Sequence, residues 1–254
     1  AHIRKFDQHK PITAAVAKTH DRCQIYDDCD IIGINYNLNI YDEVHTMRPN
    51  KLVLASECCA TGTTRDWNFP SEAYGRRQDK DADTNSWFLG REKTWKFLME
   101  RPWVMGGFQW SGFEHRGETV WPRLCSQAGA IDLFLQKKDA FYQNQSFWSR
   151  DPMVHILPHW NLSGREGERI PVWAYSNCTD VELFVDGVSY GKVALNSCDH
   201  AEWEVEYRPA KLEVIGYICS ERVAYDVVET TGKPVALKLR ADNMPDVHAG
   251  RGDI

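Results

Sequence analysis

The chain has 254 residues, with 30 Lys and Arg against 36 Asp and Glu, for a formal net charge of −6. That length holds one large or two modest domains, which excludes a small disulfide-stapled scaffold. The acidic balance, without any basic run, excludes a phosphate-tracking surface and disfavours nucleic acid as a partner. No stretch reaches the roughly 20 apolar residues of a membrane span, and Ala1-His2-Ile3-Arg4-Lys5 lacks the apolar core of a secretion signal, so a soluble chain is expected.

Up to about residue 150 one unit repeats: a short apolar run, a polar turn, then a helix-like stretch. The runs are Pro11–Val16, Ile31–Tyr36, Leu52–Ser56 and Val104–Trp110. Runs apolar on both faces are expected of parallel strands covered by helices. Between them, 38–48 places Leu38, Tyr41 and Val44 three apart before Pro49, and 84–101 aligns Phe88, Trp95 and Leu98 before Pro102; both predict crossover helices. Each strand ends in polar or aromatic groups: Asn35-Tyr36, Ser56-Glu57, and Gln109-Trp110 leading to Glu114-His115. In β/α barrels such strand ends build the active site. Glu57 is the most pointed of them, because an apolar strand delivers a carboxylate there; the plain alternative is a surface charge beside a helix cap. The long polar loop from Cys58 to about Asp83 has the length of a functional or disordered segment.

From about residue 151 the period becomes two. Ile170–Tyr175, Val181–Val185, Val188–Val193, His200–Tyr207, Leu212–Tyr217 and Val223–Val228 read as strands, with Asp186-Gly187 as a hairpin turn. A small immunoglobulin-like sandwich is expected, entered through a linker at Pro158–Asn161 and Gly164–Gly167. The ten Trp, ten Tyr and ten Phe serve cores but also suit flat, half-apolar ligands such as sugars. The eight cysteines form no C-x-x-C pair, which fits reduced thiols in a cytosol. His155 and His159 have helical metal-ligand spacing, but Pro158 lies between them and no third ligand follows, so a structural role is expected. Arg251-Gly252-Asp253 matches an adhesion tripeptide by coincidence.

The stretches Gly33-Ile34-Asn35-Tyr36, Ala55-Ser56-Glu57 and Gly106–Glu118 resemble the last four strands of the catalytic barrel of glycoside hydrolase family 2, the β-galactosidase type. Pro152–Asn161 and Val181–Gly187 are similar to the sandwich that follows that barrel in one bacterial branch. The resemblance implies α/β plus all-β architecture: the C-terminal half of a (β/α)8 TIM barrel at 1–150, an immunoglobulin-like sandwich at 151–232, and the start of a further β domain at 233–254, where Pro234–Leu239 is strand-like. It implies retaining hydrolysis of a β-galactoside by two carboxyl groups. Glu57 is then the nucleophile, held ionised by donors among which Tyr36 is foremost. Trp110 is the aromatic platform beneath the sugar, and Asn35, Arg65, Glu114 and His115 are hydroxyl-binding candidates. No cofactor or metal is implied.

In that family the acid/base Glu follows an Asn, and this chain contains no Asn-Glu pair. The chain alone is therefore expected to be nearly inactive, and its uncovered sheet edges are expected to drive self-association. The rival reading is a non-catalytic carbohydrate-binding or scaffolding protein. Among sugars, β-glucuronides and β-mannosides stay open beside β-galactosides, as do cytoplasm and periplasm of a bacterium for location.

Overall fold

The computed structural model describes residues 2–17, 24–67, 80, 81, 89–119 and 121–238. Cys23, Phe88, most of the loop between Asp66 and Gly90, Leu239 and the Arg251–Asp253 tripeptide lie outside them. The first half forms a four-stranded sheet, β1 (Thr13–Val16), β2 (Ile31–Asn35), β3 (Leu52–Cys58) and β4 (Val104–Gln109), in the order β1-β2-β3-β4. Every neighbouring pair is parallel. Parallel neighbours need crossovers. These carry a single turn α1 (Ile25–Asp28), then a 3-10 turn at Leu38–Ile40 running into α2 (Tyr41–Met47), then α3 (Arg91–Met99).

Ile32, Ile34, Val53 and Ala55 are fully buried and pack with Tyr41, Val44 and Leu98 from the helices. Burial is continuous only along β2. β3 alternates, with Leu52 exposed beside buried Val53 and Ala55. β1 and β4 lie at the edges, and Met105 and Phe108 of β4 are 53% and 66% exposed. The expectation of strands buried on both faces is thus corrected for β1, β3 and β4, whose second face the described residues leave partly uncovered. α3 begins at Arg91, later than the predicted 84–101 span suggested, and its N-terminus is organised from a distance. The Asp81 carboxylate accepts the N–H groups of Arg91 (2.7 Å) and Glu92 (2.9 Å).

The second half is a sandwich. Its strands are β5 (Val154–Leu157), β6 (Arg169–Ser176), β7 (Asp180–Val185), β8 (Val188–Ala194), β9 (His200–Glu206), β10 (Lys211–Ile218) and β11 (Glu221–Glu229). One sheet runs β11-β10-β7-β8 and the other β5-β6-β9, all pairs antiparallel. Asp186 and Gly187 both take positive φ, at 47° and 81°, which a type I′ turn requires. Val172, Val181, Leu183, Val205, Leu212 and Val214 close the core.

The expected linker is corrected here. Trp160 and Leu162 are buried in this core, the Trp160 indole donating to the Arg208 carbonyl at 2.9 Å and meeting Tyr207 edge to face. Pro158–Gly167 is therefore part of the sandwich, whose first strand, β5, precedes it. Residues 234–238 form no strand, and Val235 and Leu237 are almost fully exposed. The two halves meet through α4 (Asp139–Trp148) and α3, which pack toward β5, β6 and β9. His200 of β9 meets Glu92 at 2.5 Å, and the Asp81 N–H donates to the Tyr175 hydroxyl at 3.1 Å.

Candidate active site

Parallel strands in sequential order bring their C-terminal ends side by side. Asn35 at the end of β2 is the register partner of Glu57 on β3, after a local irregularity in the pairing. The Tyr36 N–H donates to the Glu57 carbonyl at 2.7 Å, and the Trp110 N–H to the Cys58 carbonyl at 2.8 Å. Asn35, Tyr36, Glu57 and Trp110 thus occupy one end of one sheet.

The Tyr36 hydroxyl donates to Glu57 Oε2 at 2.8 Å, and both side chains are half-buried. Burial first, and the Glu57 carboxylate beside it, push the Tyr36 phenol well above its ordinary range, so it stays a donor. Asn35 is buried and accepts the Ser56 hydroxyl at 2.8 Å, a contact that fixes its amide against β3. Trp110 is half-buried and outside the core. Its ring meets that of His115 edge to face, with centroids 5.6 Å apart. The Trp110–Ser111 peptide is cis. His115 Nε2 lies 3.2 Å from Glu118 Oε2.

Two expected hydroxyl-binding groups are committed elsewhere. Glu114 Oε1 takes the Lys138 ammonium at 2.9 Å, and its other oxygen takes the Cys125 thiol at 3.6 Å. Arg65 donates through Nε to Asp132 at 2.7 Å and through a terminal nitrogen to Asp66 at 2.9 Å. Burial works to raise the Asp132 carboxyl, but Arg65 and the N–H groups of Gln136 and Phe134 hold it below its ordinary value. Sequence reasoning named Ser56 and Glu118 without giving them a role, and passed over Lys138. A lysine ahead of a helix reads as solvated, and only its complete burial reveals another role.

No group of three His, Cys, Asp or Glu side chains among the described residues has metal-binding geometry. His155 instead pairs with Asp139 at 2.7 Å and stacks on Tyr142, while His159 Nδ1 accepts the Asn161 N–H. The seven described cysteines are free thiols.

A family model described as a domain of unknown function, DUF4982, matches residues 167–224, within the sandwich. The β-galactosidase BoGH2A of Bacteroides ovatus is 30% identical over 264 residues, covering 94% of this chain and 31% of that protein. A β-glycosidase structure from Bacteroides vulgatus aligns with TM-score 0.82 at 30% identity, over 95% of this chain and 35% of that one. A glycosyl hydrolase family 2 member from Bacteroides cellulosilyticus gives TM-score 0.70 at 27% identity, over 94% and 31%. Other relatives, from Formosa agariphila and Bacteroides fragilis, are named β-glucuronidases or putative β-glucuronidases; one from Formosa agariphila is 37% identical over 59% of this chain and 15% of that protein. The chain spans about a third of the length of the relatives that it matches throughout.

Proposed function

The chain belongs to glycoside hydrolase family 2, and on that footing we propose that it is the nucleophile-bearing part of a retaining glycosidase of the β-galactosidase type. The four parallel strands are the second half of an eight-stranded (β/α) barrel within residues 1–150. The sandwich fills 151–232, and 233–254 open a further domain. The exposed edge of β4 is the surface where the remaining strands pair, and two copies would associate through such edges without them.

Glu57, as a carboxylate, attacks the anomeric carbon while the glycosidic oxygen leaves with a proton from an acid outside this chain. Water then cleaves the glycosyl ester, losing its proton to that same group. Tyr36 orients Glu57, Trp110 offers its face to the apolar side of the pyranose, and Asn35 and His115 read hydroxyls. Glu114 and Arg65, whose charges are used within the fold, shape the loops. The observation that carries this reading is the 2.8 Å Tyr36–Glu57 hydrogen bond at adjoining strand ends, with Trp110 one strand further on. A module that only binds sugar has no need of a carboxylate so held.

With no Asn-Glu pair in the chain, general acid assistance is missing, and turnover by the chain alone falls by about 10²–10⁴-fold. A β-galactoside is favoured over a β-glucuronide for two reasons. The relative named a β-galactosidase matches nearly the whole chain. Arg65, a cation suited to a uronate carboxylate, is neutralised by Asp132 and Asp66. The test is covalent trapping of Glu57 by a fluorinated galactosyl reagent, faster than by its glucuronyl counterpart.

A further inference from the structure

Lys138 stands immediately before α4, and none of its side chain is exposed. An ammonium has three N–H donors, and three acceptors among the described residues surround it: the carbonyls of Thr63 and Gln127, each at 2.8 Å, and Glu114 Oε1 at 2.9 Å. The acceptors belong to different segments. Thr63 lies on the loop that leaves β3 just after Glu57. Glu114 lies on the loop that leaves β4 through Trp110 and His115, and Gln127 lies on the limb that returns to α4.

The same limbs are laced by backbone bonds. Thr63 donates to Gln127 (3.0 Å), Ser126 to His115 (2.8 Å), Ser111 to Ala128 (3.2 Å) and Ala130 to Ser111 (3.1 Å). Gly129 lies so close that a Cβ there would fall 2.0 Å from the Glu114 nitrogen. Burying an ion pair is costly, and apolar replacements of such pairs often stabilise a fold. A charge retained where the site loops converge therefore points to placement of those loops.

We propose that Lys138 is a positioning residue of the Glu57 site, setting Trp110 and His115 relative to Glu57 through Glu114 and the two loop carbonyls. The proposal rests on the reading of Glu57 and Trp110 as groups that meet the sugar. Lys138→Met strands a buried carboxylate and frees two carbonyls, so the β4 loop shifts. Among the described residues, the other groups around that carboxylate are the Cys125 thiol, Arg123 near that thiol, and His115 and Glu118 along the same loop.

The experiment uses the full chain with ¹⁵N-labelled tryptophan, the Trp110 indole signal being assigned by Trp110→Phe. In Lys138→Met at pH 7.5 that signal moves and broadens, while those of Trp160 and Trp203 in the sandwich stay in place. In Glu114→Gln it also moves, and in the double variant it moves no further than in Lys138→Met alone, because the two side chains act through one contact. Trapping of Glu57 slows at least 10-fold in Lys138→Met. If the unsubstituted chain is not trapped even with the proposed remaining barrel strands supplied in trans, the glycosidase reading fails while the Trp110 signal still decides the positioning role. An unmoved Trp110 signal in Lys138→Met, or displacements that simply add in the double variant, overturns the proposal. Should Lys138→Met not fold, Glu114→Gln decides alone, and an unmoved Trp110 signal there overturns it.

Discussion

At the scale of single residues the site turns on one hydrogen bond. Tyr36 donates to Glu57 at 2.8 Å from a half-buried position, and a hydrogen bond to a charged acceptor contributes about 1.5–3 kcal/mol. Tyr36→Phe should therefore slow covalent trapping of Glu57 by roughly 10- to 100-fold, with the folded state intact by circular dichroism. An unchanged trapping rate would mean that Glu57 is oriented by other groups. Asn35, Tyr36, Glu57 and Trp110 were legible in the sequence because each ends an apolar run, and parallel pairing leaves such ends no other place to go. Glu114 and Arg65 were not legible as internal ion partners. Lys138 and Asp132, which claim them, are 24 and 67 residues away, and no local pattern encodes such pairings.

At the scale of elements, strands read better than helix starts. A strand buried in a sheet or alternating across a sandwich leaves its period in the sequence, so β1 through β4 and β6 through β11 were foreseen within a residue or two. The start of α3 was not, because its cap is Asp81, ten residues upstream of Arg91. The same carboxylate accepts the Gln143 amide of α4 at 3.0 Å. β5 escaped notice since its four residues, between Met153 and Pro158, are too few to display a period. Trp160 looked like part of a linker for the same reason, its burial being decided by Tyr207 and Arg208 far along the chain. Asp81→Ala removes the two cap bonds and the tie to α4, and should cost about 1–2 kcal/mol. Thermal unfolding checks this; a melting temperature equal to that of the unsubstituted chain would show that α3 needs no such cap.

At the scale of the whole molecule, the junction between the parallel sheet and the sandwich holds a titratable cluster. His155 of β5 lies between Asp139 of α4 at 2.7 Å and Asp226 of β11 at 3.6 Å. Burial, with the carboxylates of Asp66 and Asp226 adding to it, pushes the Asp139 carboxyl up to about 8. A carboxyl raised by folding stabilises the native state fully below its unfolded value, about 4, and that stability is lost as pH rises through the folded value. The junction is therefore firmest in acid and loosens toward pH 9. Asp139→Asn should match the unsubstituted chain below about pH 4 and melt several degrees higher at pH 9, at roughly 2–4 °C per kcal/mol for a chain of this size. Parallel melting curves across that range would contradict the assignment. This contact was invisible in the sequence, where His155 and His159 drew attention only by their spacing. The central claim concerns what the joined molecule presents at its sheet end, and one measurement reaches it directly. The chain, with the barrel strands that the proposal places outside it supplied in trans, is treated with a 2-deoxy-2-fluoro-galactosyl fluoride, and the labelled peptide is mapped by mass spectrometry. One fluorosugar bound through an ester to Glu57, absent in Glu57→Gln, is the result predicted; reversible binding without a covalent adduct, or an adduct on another residue, would contradict it.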